Sequence, residues 1–268
     1  VDVCAHLTST QITGLETDFN VLDGSMNLVQ ALFLNNAYEP LQDIRVRQAL
    51  NYAVDRQMIL DFVSDGKGYI VGSNMYPAFA KYYEDLTGLY PYNPEKAKSL
   101  LTEAGYPNGF DFVITVPSNY PFHVDTAQVV AEQLKAVGIN CTIDTVEWGT
   151  WYDEVYKGRN YHGTIIGFDA SDAMTAQSLL ARYESTHSKN MSNYVSQRYD
   201  EVYNAALTAT SEEEQIALYK QAQVILAEDA SNVYLQDPCD FVALRKGIEG
   251  YVFYPIYVMD LSGVYFTK

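Results

Sequence analysis

The chain has 268 residues, 48% of them apolar, with 34 acidic and 17 basic side chains and a formal charge of −17. That apolar content fills a real core in one large domain or two small ones, and no run approaches the ~18–20 apolar residues of a membrane-spanning helix. The acidic balance argues against nucleic acid and against an electrostatic grip on anionic lipid, because both demand Lys and Arg.

The first 31 residues are short and mixed. They suggest a strand at residues 1–4, a small helix over 9–17, and residues 20–22 leading into a turn at Asp23-Gly24. Residue Val1 is neither a start Met nor part of a signal peptide, and VDVCAHLTST reads as the end of a strand, so the chain is expected to continue upstream. LVQALFLNN (28–36) is an apolar strand. Residues 40–66 are helical, with Asp43 as N-cap and Val46, Leu50, Ala53, Val54 and Met58 on one face. Asp55-Arg56 caps or breaks this helix into two, and Gly66 and Gly68 end it. Arg45, Arg47 and Arg56 lie off the apolar face, so they are expected to be solvated or in surface ion pairs worth ~0–1 kcal/mol each. Residues 69–91 are irregular. A well-marked helix follows, capped by Asn93, with Pro94 first, Ala97, Leu100, Leu101 and Ala104 inward, and Gly105 as the stop.

Residues 110–168 are the stretch the rest of the chain serves. FDFVITV (110–116) alternates as a strand. After a loop at 117–123, Val124, Ala127, Val130, Leu134 and Val137 recur at helical spacing, with Gly138 as cap. INCTIDTVE (139–147) is a second strand, with Ile139, Cys141 and Ile143 on one face. A short helix at 151–157 and a third strand at 163–168 extend the unit. Strand, helix, strand with short joints is a parallel βαβ crossover. Ligands collect beyond the carboxyl ends of such strands, which selects the loops 117–123, 147–151 and 168–174. They carry Tyr120, His123, Trp148, Trp151, Asp169, Ser171 and Asp172.

Farther on, residues 175–183 look helical and 187–193 form a polar loop. Two helices follow, the first with Tyr199, Val202, Tyr203, Ala206 and Leu207 inward. The second opens with Ser211 and Glu214 at capping-box spacing and has Ile216, Tyr219, Ala222, Val224 and Leu226 as its apolar face. Residues 232–235 and 241–244 read as two strands. The three cysteines, Cys4, Cys141 and Cys239, are too few and too far apart for a disulfide framework or a metal motif. His6, His162 and His187 are scattered, and no phosphate loop, nucleophile elbow or CxxC occurs. Neither a metal, a cofactor nor an enzymatic reaction is expected. The 23 tyrosines suit a binding surface, although most belong to the core or its rim.

PLQDIRVRQALNYAVDRQMIL, YNPEKAKSLLTEAGYPNGF, AEQLKAVGINCTIDTVEWGTW, YKQAQVILAEDASNVYL and the closing RKGIEGYVFYPI together resemble the family 5 extracellular solute-binding proteins. These are the oligopeptide, dipeptide and nickel receptors of ABC importers. The blocks occur in family order over nearly the whole chain. The resemblance implies an α/β (mixed α+β) fold, the second lobe of a type II periplasmic binding protein with a mainly parallel sheet flanked by helices, plus small remnants of the first lobe. On that reading residues 32–235 form lobe II, while 1–31 and 236–268 belong to lobe I and the hinge.

The resemblance also weights the site. Trp148 matches a tryptophan that lines the family's cleft, and Gly167-Phe168 resembles its glycine–tryptophan pair, with the ring kept and the indole N–H lost. Peptide receptors hold the ligand's ammonium on an aspartate three residues after that aromatic. Here the position is Ser171, flanked by Asp169 and Asp172, and the Pro of that loop is missing. Ile165 stands where some members have Arg. His123 is a candidate for a carboxylate or carbonyl, Asp125 reads as a helix cap, and Trp151 as a packing residue. Acids near the mouth and few bases suit a neutral or cationic ligand. The expected partners are a small-molecule or peptide ligand and the permease subunits of an ABC importer. A monomer outside the cytoplasm is expected, touching membrane only through a lipid anchor beyond this segment. A sensor module of a transcription regulator is the rival reading, as is a receptor for a nickel chelate, an opine or an oligosaccharide.

Overall fold

The structure is a computed structural model that describes residues 1–170, 175–254 and 259–267. In chain order, β1 (Val3–Leu7), α1 (Ser9–Ile12) and β2 (Phe19–Ser25) come first. Asp23-Gly24 lies inside β2, paired with Phe241 and Asp240, and does not form a turn. The pairing strand satisfies the backbone groups that a turn would otherwise close on itself. β3 (Val29–Leu34), a one-turn opener α2 (Glu39–Gln42), α3 (Ile44–Ala53) and α4 (Arg56–Ser64) follow, then β4 (Gly68–Ile70) and α5 (Pro94–Glu103). The βαβ unit is β5 (Asp111–Pro117), α6 (Pro121–Lys135) and β6 (Asn140–Val146). Next comes α7 (Trp148–Thr150), which runs into a π-helical stretch at Trp151–Lys157, and then β7 (Gly163–Phe168). The chain continues through α8 (Ala176–Leu180), α9 (Gln197–Leu207), α10 (Glu212–Glu228), β8 (Val233–Arg245), β9 (Ile248–Glu249) and β10 (Tyr265–Phe266).

Local chemistry explains most boundaries. Asp43 caps α3 through the Arg45 N–H, and Asp55 caps α4 through the Met58 N–H at 3.1 Å. The break at Val54-Asp55 resets the helical phase. Ile59, Leu60 and Val63 therefore face inward on α4, while Met58, expected on the buried face, is half exposed. Asn93 and Pro94 open α5 as the sequence implies. Gly109, at a φ of +71°, packs so tightly on the next turn that a Cβ there would sit 1.8 Å from the Gly138 carbonyl oxygen.

The sheet order is β1-β8-β3-β7-β5-β6, with β2 and β4 also paired to β8. β6, β5 and β7 run parallel, and β3, β8 and their neighbours extend the sheet in antiparallel fashion. Alternation sorts the side chains onto two faces. Leu32, Leu34, Phe112, Ile114 and Ile165 face α3, α5 and α6, whereas Ala31, Phe33, Ile166 and Tyr234 face the Trp151 stretch, α8, α9 and α10.

The two strands expected at 232–235 and 241–244 are one continuous β8. Its first half pairs with β3 and β4 and its second half with β2 and β1. Pro238 does not interrupt it, because the proline still accepts the Met26 N–H at 2.9 Å. A separate small core of Val242, Leu244, Ile248 and residues around them lies along the second half.

Two arginines differ from expectation. Arg47 is buried and donates to the Leu41, Gln42, Asp229 and Ala230 carbonyls, tying the end of α10 to the start of α3. Arg56 has an enclosed guanidinium that donates to Asn51, Tyr90 and Tyr234 carbonyls, and burial pulls its pKa down to about 10. Periodicity marks them as polar-face residues, but the orphan carbonyls at element ends draw the guanidinium inward. On α10 the buried face includes Gln223 and Ile225 where Val224 was expected. The Gln223 amide there donates to the Tyr82 carbonyl. Leu207 of α9, expected inward, is exposed.

Candidate functional site

A cavity of about 250 Å³ opens where β5, β6 and β7 end, lined by Leu28, Tyr120, Phe122, His123, Trp148, Trp151, Ile166, Gly167, Phe168 and Asp169. Of the candidate ligand contacts named from the sequence, Tyr120, His123, Trp148, Phe168 and Asp169 meet on this one cavity. Ser171 and Asp172 lie outside the described residues.

Two aromatic walls shape it. Trp148, directly after β6, is 42% exposed, packs edge-on to Tyr120 at 5.7 Å between ring centroids, and stacks on Trp151 at 5.1 Å. Trp151 is fully buried and spends its indole N–H on Thr164 Oγ1 at 2.9 Å, so it supports Trp148 from below as a packing residue. Phe168, at the end of β7, sits edge-on to Phe33 at 5.1 Å. The Arg182 guanidinium lies 3.9 Å from the Phe168 ring centroid, outside the cavity lining. That distance is well within cation–π range. An exposed indole held by rings behind it is a preorganised stacking surface.

His123 differs from the exposed loop residue expected. The helix begins at Pro121, so the loop is shorter than the polar run suggested and His123 falls on the first turn of α6, 2% exposed. Its Nδ1 meets Gln30 Nε2 at 2.7 Å, and burial pushes its pKa down to about 3. It is a neutral group in the wall of the cavity. Asp125 does not cap this helix. The N-cap is Tyr120, which makes no side-chain cap bond, and Asp125 is exposed on a different groove beside Met58 and Phe62.

Sequence reasoning missed three contributors, Leu28, Phe122 and Ile166, and named Gly167 only as the neighbour of Phe168. Leu28 comes from just before β3, some ninety residues upstream of α6, and enters because β3 pairs beside β7. Ile166 and Gly167 sit on β7, and a side chain at Gly167 would begin 2.2 Å from Leu28 Cδ1. Phe122 was taken as part of the loop. Strand-order adjacency alone could have found Leu28, and that adjacency is not written in local spacing.

The described carboxyl in the lining is Asp169, near the buried Tyr76 hydroxyl, whose pKa is raised chiefly by burial and further by Asp169. Among the described lining residues, aromatic rings, a neutral imidazole and one carboxyl offer stacking and hydrogen bonding, and none is cationic.

An α/β lobe with an aromatic-walled cleft at its parallel strand ends is the architecture of a ligand-binding module. The model for bacterial extracellular solute-binding proteins, family 5, matches residues 1–190, and the chain belongs to that family. Heme-binding protein A of Haemophilus influenzae is 33% identical over 243 residues, covering 86% of this chain and 44% of the relative. The dipeptide-binding protein of Escherichia coli is 31% identical over 250 residues, covering 87% and 46%. Among solved structures, the dipeptide-binding protein of a Pseudoalteromonas species in complex with Met-Leu superposes with a TM-score of 0.87 at 26% identity. That match covers 99% of this chain and 54% of the other. The periplasmic binding protein DppA of Helicobacter pylori, in complex with the peptide STSA, gives 0.88 at 25%, covering 100% and 53%. The chain thus spans about half the length of the curated relatives it matches.

Proposed function

We propose that this chain is the second lobe of the extracytoplasmic solute receptor of an ABC importer, and that the cavity under Trp148 and Phe168 is its half of the ligand cleft. Residues 32–235 form this lobe. Residues 1–31 and 236–268 belong to the first lobe and the hinge, a division supported by the separate small core along the second half of β8. The activity is binding and delivery, not catalysis, with permease subunits as the partner. The leading cargo is an oligopeptide, in keeping with relatives named for dipeptides, oligopeptides and glutathione.

One observation carries the reading: an exposed, ring-supported Trp148 and the Phe168 ring face one cavity at the carboxyl ends of three parallel strands, with Asp169 at its edge. Asp169 suits a ligand ammonium, and a partly desolvated pair of that kind is worth more than a surface pair. The test is native mass spectrometry of the full-length protein purified without refolding, followed by calorimetry with the solute that travels with it. A co-purifying peptide, with affinity reduced at least ~10-fold by Trp148→Ala, is the expected result. Binding that ignores Trp148→Ala would sink the assignment of this cavity.

A further inference from the structure

A buried relay of amides ends at the cleft. Gln236 of β8 donates its Nε2–H to Gln30 Oε1 at 2.8 Å, and Thr126 Oγ1 lies 3.2 Å from the same oxygen. With that oxygen accepting, the atom of Gln30 that meets His123 Nδ1 at 2.7 Å is the amide nitrogen, which can only donate. Nδ1 is therefore a bare acceptor, and a neutral imidazole in that position carries its proton on Nε2. Nε2 makes no hydrogen bond among the described residues, yet it is not among the sealed-off polar atoms that lack a partner. The adjacent Cε1 lies 3.4 Å from where a side chain on Gly167 would begin, and both residues line the cavity. Nε2, unbonded and not sealed off, thus faces the cavity, whose wall at this point is the imidazole packed beside Leu28 and Gly167.

We propose that His123 is a specificity-determining residue of the cleft, offering a fixed, uncharged Nε2–H donor to a carbonyl or hydroxyl oxygen of the solute and no counter-charge to a carboxylate. The proposal rests on the cleft reading above and deepens it. The oxygen that docks at this wall belongs to a neutral group, such as a peptide main-chain carbonyl. The carboxyl of Asp169 on the same cavity further disfavours an anion there. Three strands and a helix contribute to the device: Gln30 from β3, Gln236 from β8, Gly167 from β7 and His123 from α6. A local mutation scan would not connect them.

Long-range proton–nitrogen correlation spectra of the 15N-labelled chain at neutral pH read the tautomer directly, without ligand. A protonated Nε2 and a bare Nδ1 on His123 are expected. The reversed chain, in which both amides turn over and His123 donates from Nδ1, would leave Nε2 an acceptor and overturn the proposal. Titration of the full-length protein with N-acetylglycinamide, a neutral carbonyl probe, should shift the Nε2 proton, while acetate should not. An acetate shift without an amide shift, or no shift with either probe, also overturns it. His123→Phe should weaken the amide probe about 2–10-fold, the loss of one neutral hydrogen bond, and His123→Gln should restore part of it. The emission component lost in Trp148→Phe, followed during peptide titration of the full-length protein, reports the cleft independently. If it never responds, the proposed function fails. If it responds while the tautomer is reversed, only the role of His123 fails.

Discussion

His123 and Asp237 are both buried, and burial moves their proton affinities in opposite directions. His123 falls from 6.5 to about 3, while Asp237, held by Ser25 Oγ and the Leu28 N–H, rises from 3.8 to about 7. The folded His123 binds protons less readily than the unfolded, so the stability it contributes is present above 6.5 and is lost as pH falls toward 3. The folded Asp237 binds them more readily, so its contribution is present below 3.8 and is lost as pH rises through 7. The two slopes oppose each other across the mildly acidic range. Asp237→Asn should therefore make stability climb more steeply with pH than in the parent chain, and His123→Gln should make it climb less. Urea titrations of the three proteins at a series of pH values measure both differences. Parallel curves for all three would contradict the burial of both groups.

At the scale of elements, the ends of helices and strands decide more than their middles. Arg56 serves three carbonyls from separate segments, so Arg56→Met should cost about 3 kcal/mol by leaving them unsatisfied. Arg56→Lys should recover little of that, since an ammonium cannot span the same fork. Guanidinium unfolding of both variants is the measurement, and a Lys variant as stable as the parent would show that charge alone matters. The joint of the βαβ unit behaves similarly. Gly109→Ala puts a Cβ into the Gly138 carbonyl oxygen at a positive φ, so it should destabilise by roughly 3 kcal/mol or more and lower the melting temperature.

For the whole molecule, β8 is the member that joins the two sections of sheet: residues on either side of Pro238 pair with different partners. Closure of a cleft around a ligand is driven only by contacts the ligand makes with both sides. On the proposed reading this chain supplies one side. It should fold by itself yet bind peptides weakly or undetectably. Submicromolar binding of a peptide to the 268-residue chain by calorimetry would refute the half-cleft reading.

Much was legible because it is local. Asp43, Asp55 and Asn93 announce helix starts through a hydrogen bond to a neighbour two or three residues away, and β5–α6–β6 announces itself by period and cap. Trp148 and Phe168 could be placed near one another because parallel strands put their carboxyl ends on the same edge. The order and continuity of strands were not legible: the merger of two short apolar runs into β8, and the pairing of β3 between β7 and β8, rest on partners far apart in sequence. A partner 93 residues away, Gln30, likewise hid the true setting of His123. The sequence by itself determined which segments are helix or strand and which rings stand at the strand ends, since those follow from interactions within a few residues. Only the tertiary structure decided that His123 is buried and neutral and that arginines turn inward to carbonyls. It also decided that Leu28 reaches the cavity, because burial and pairing are properties of elements already assembled.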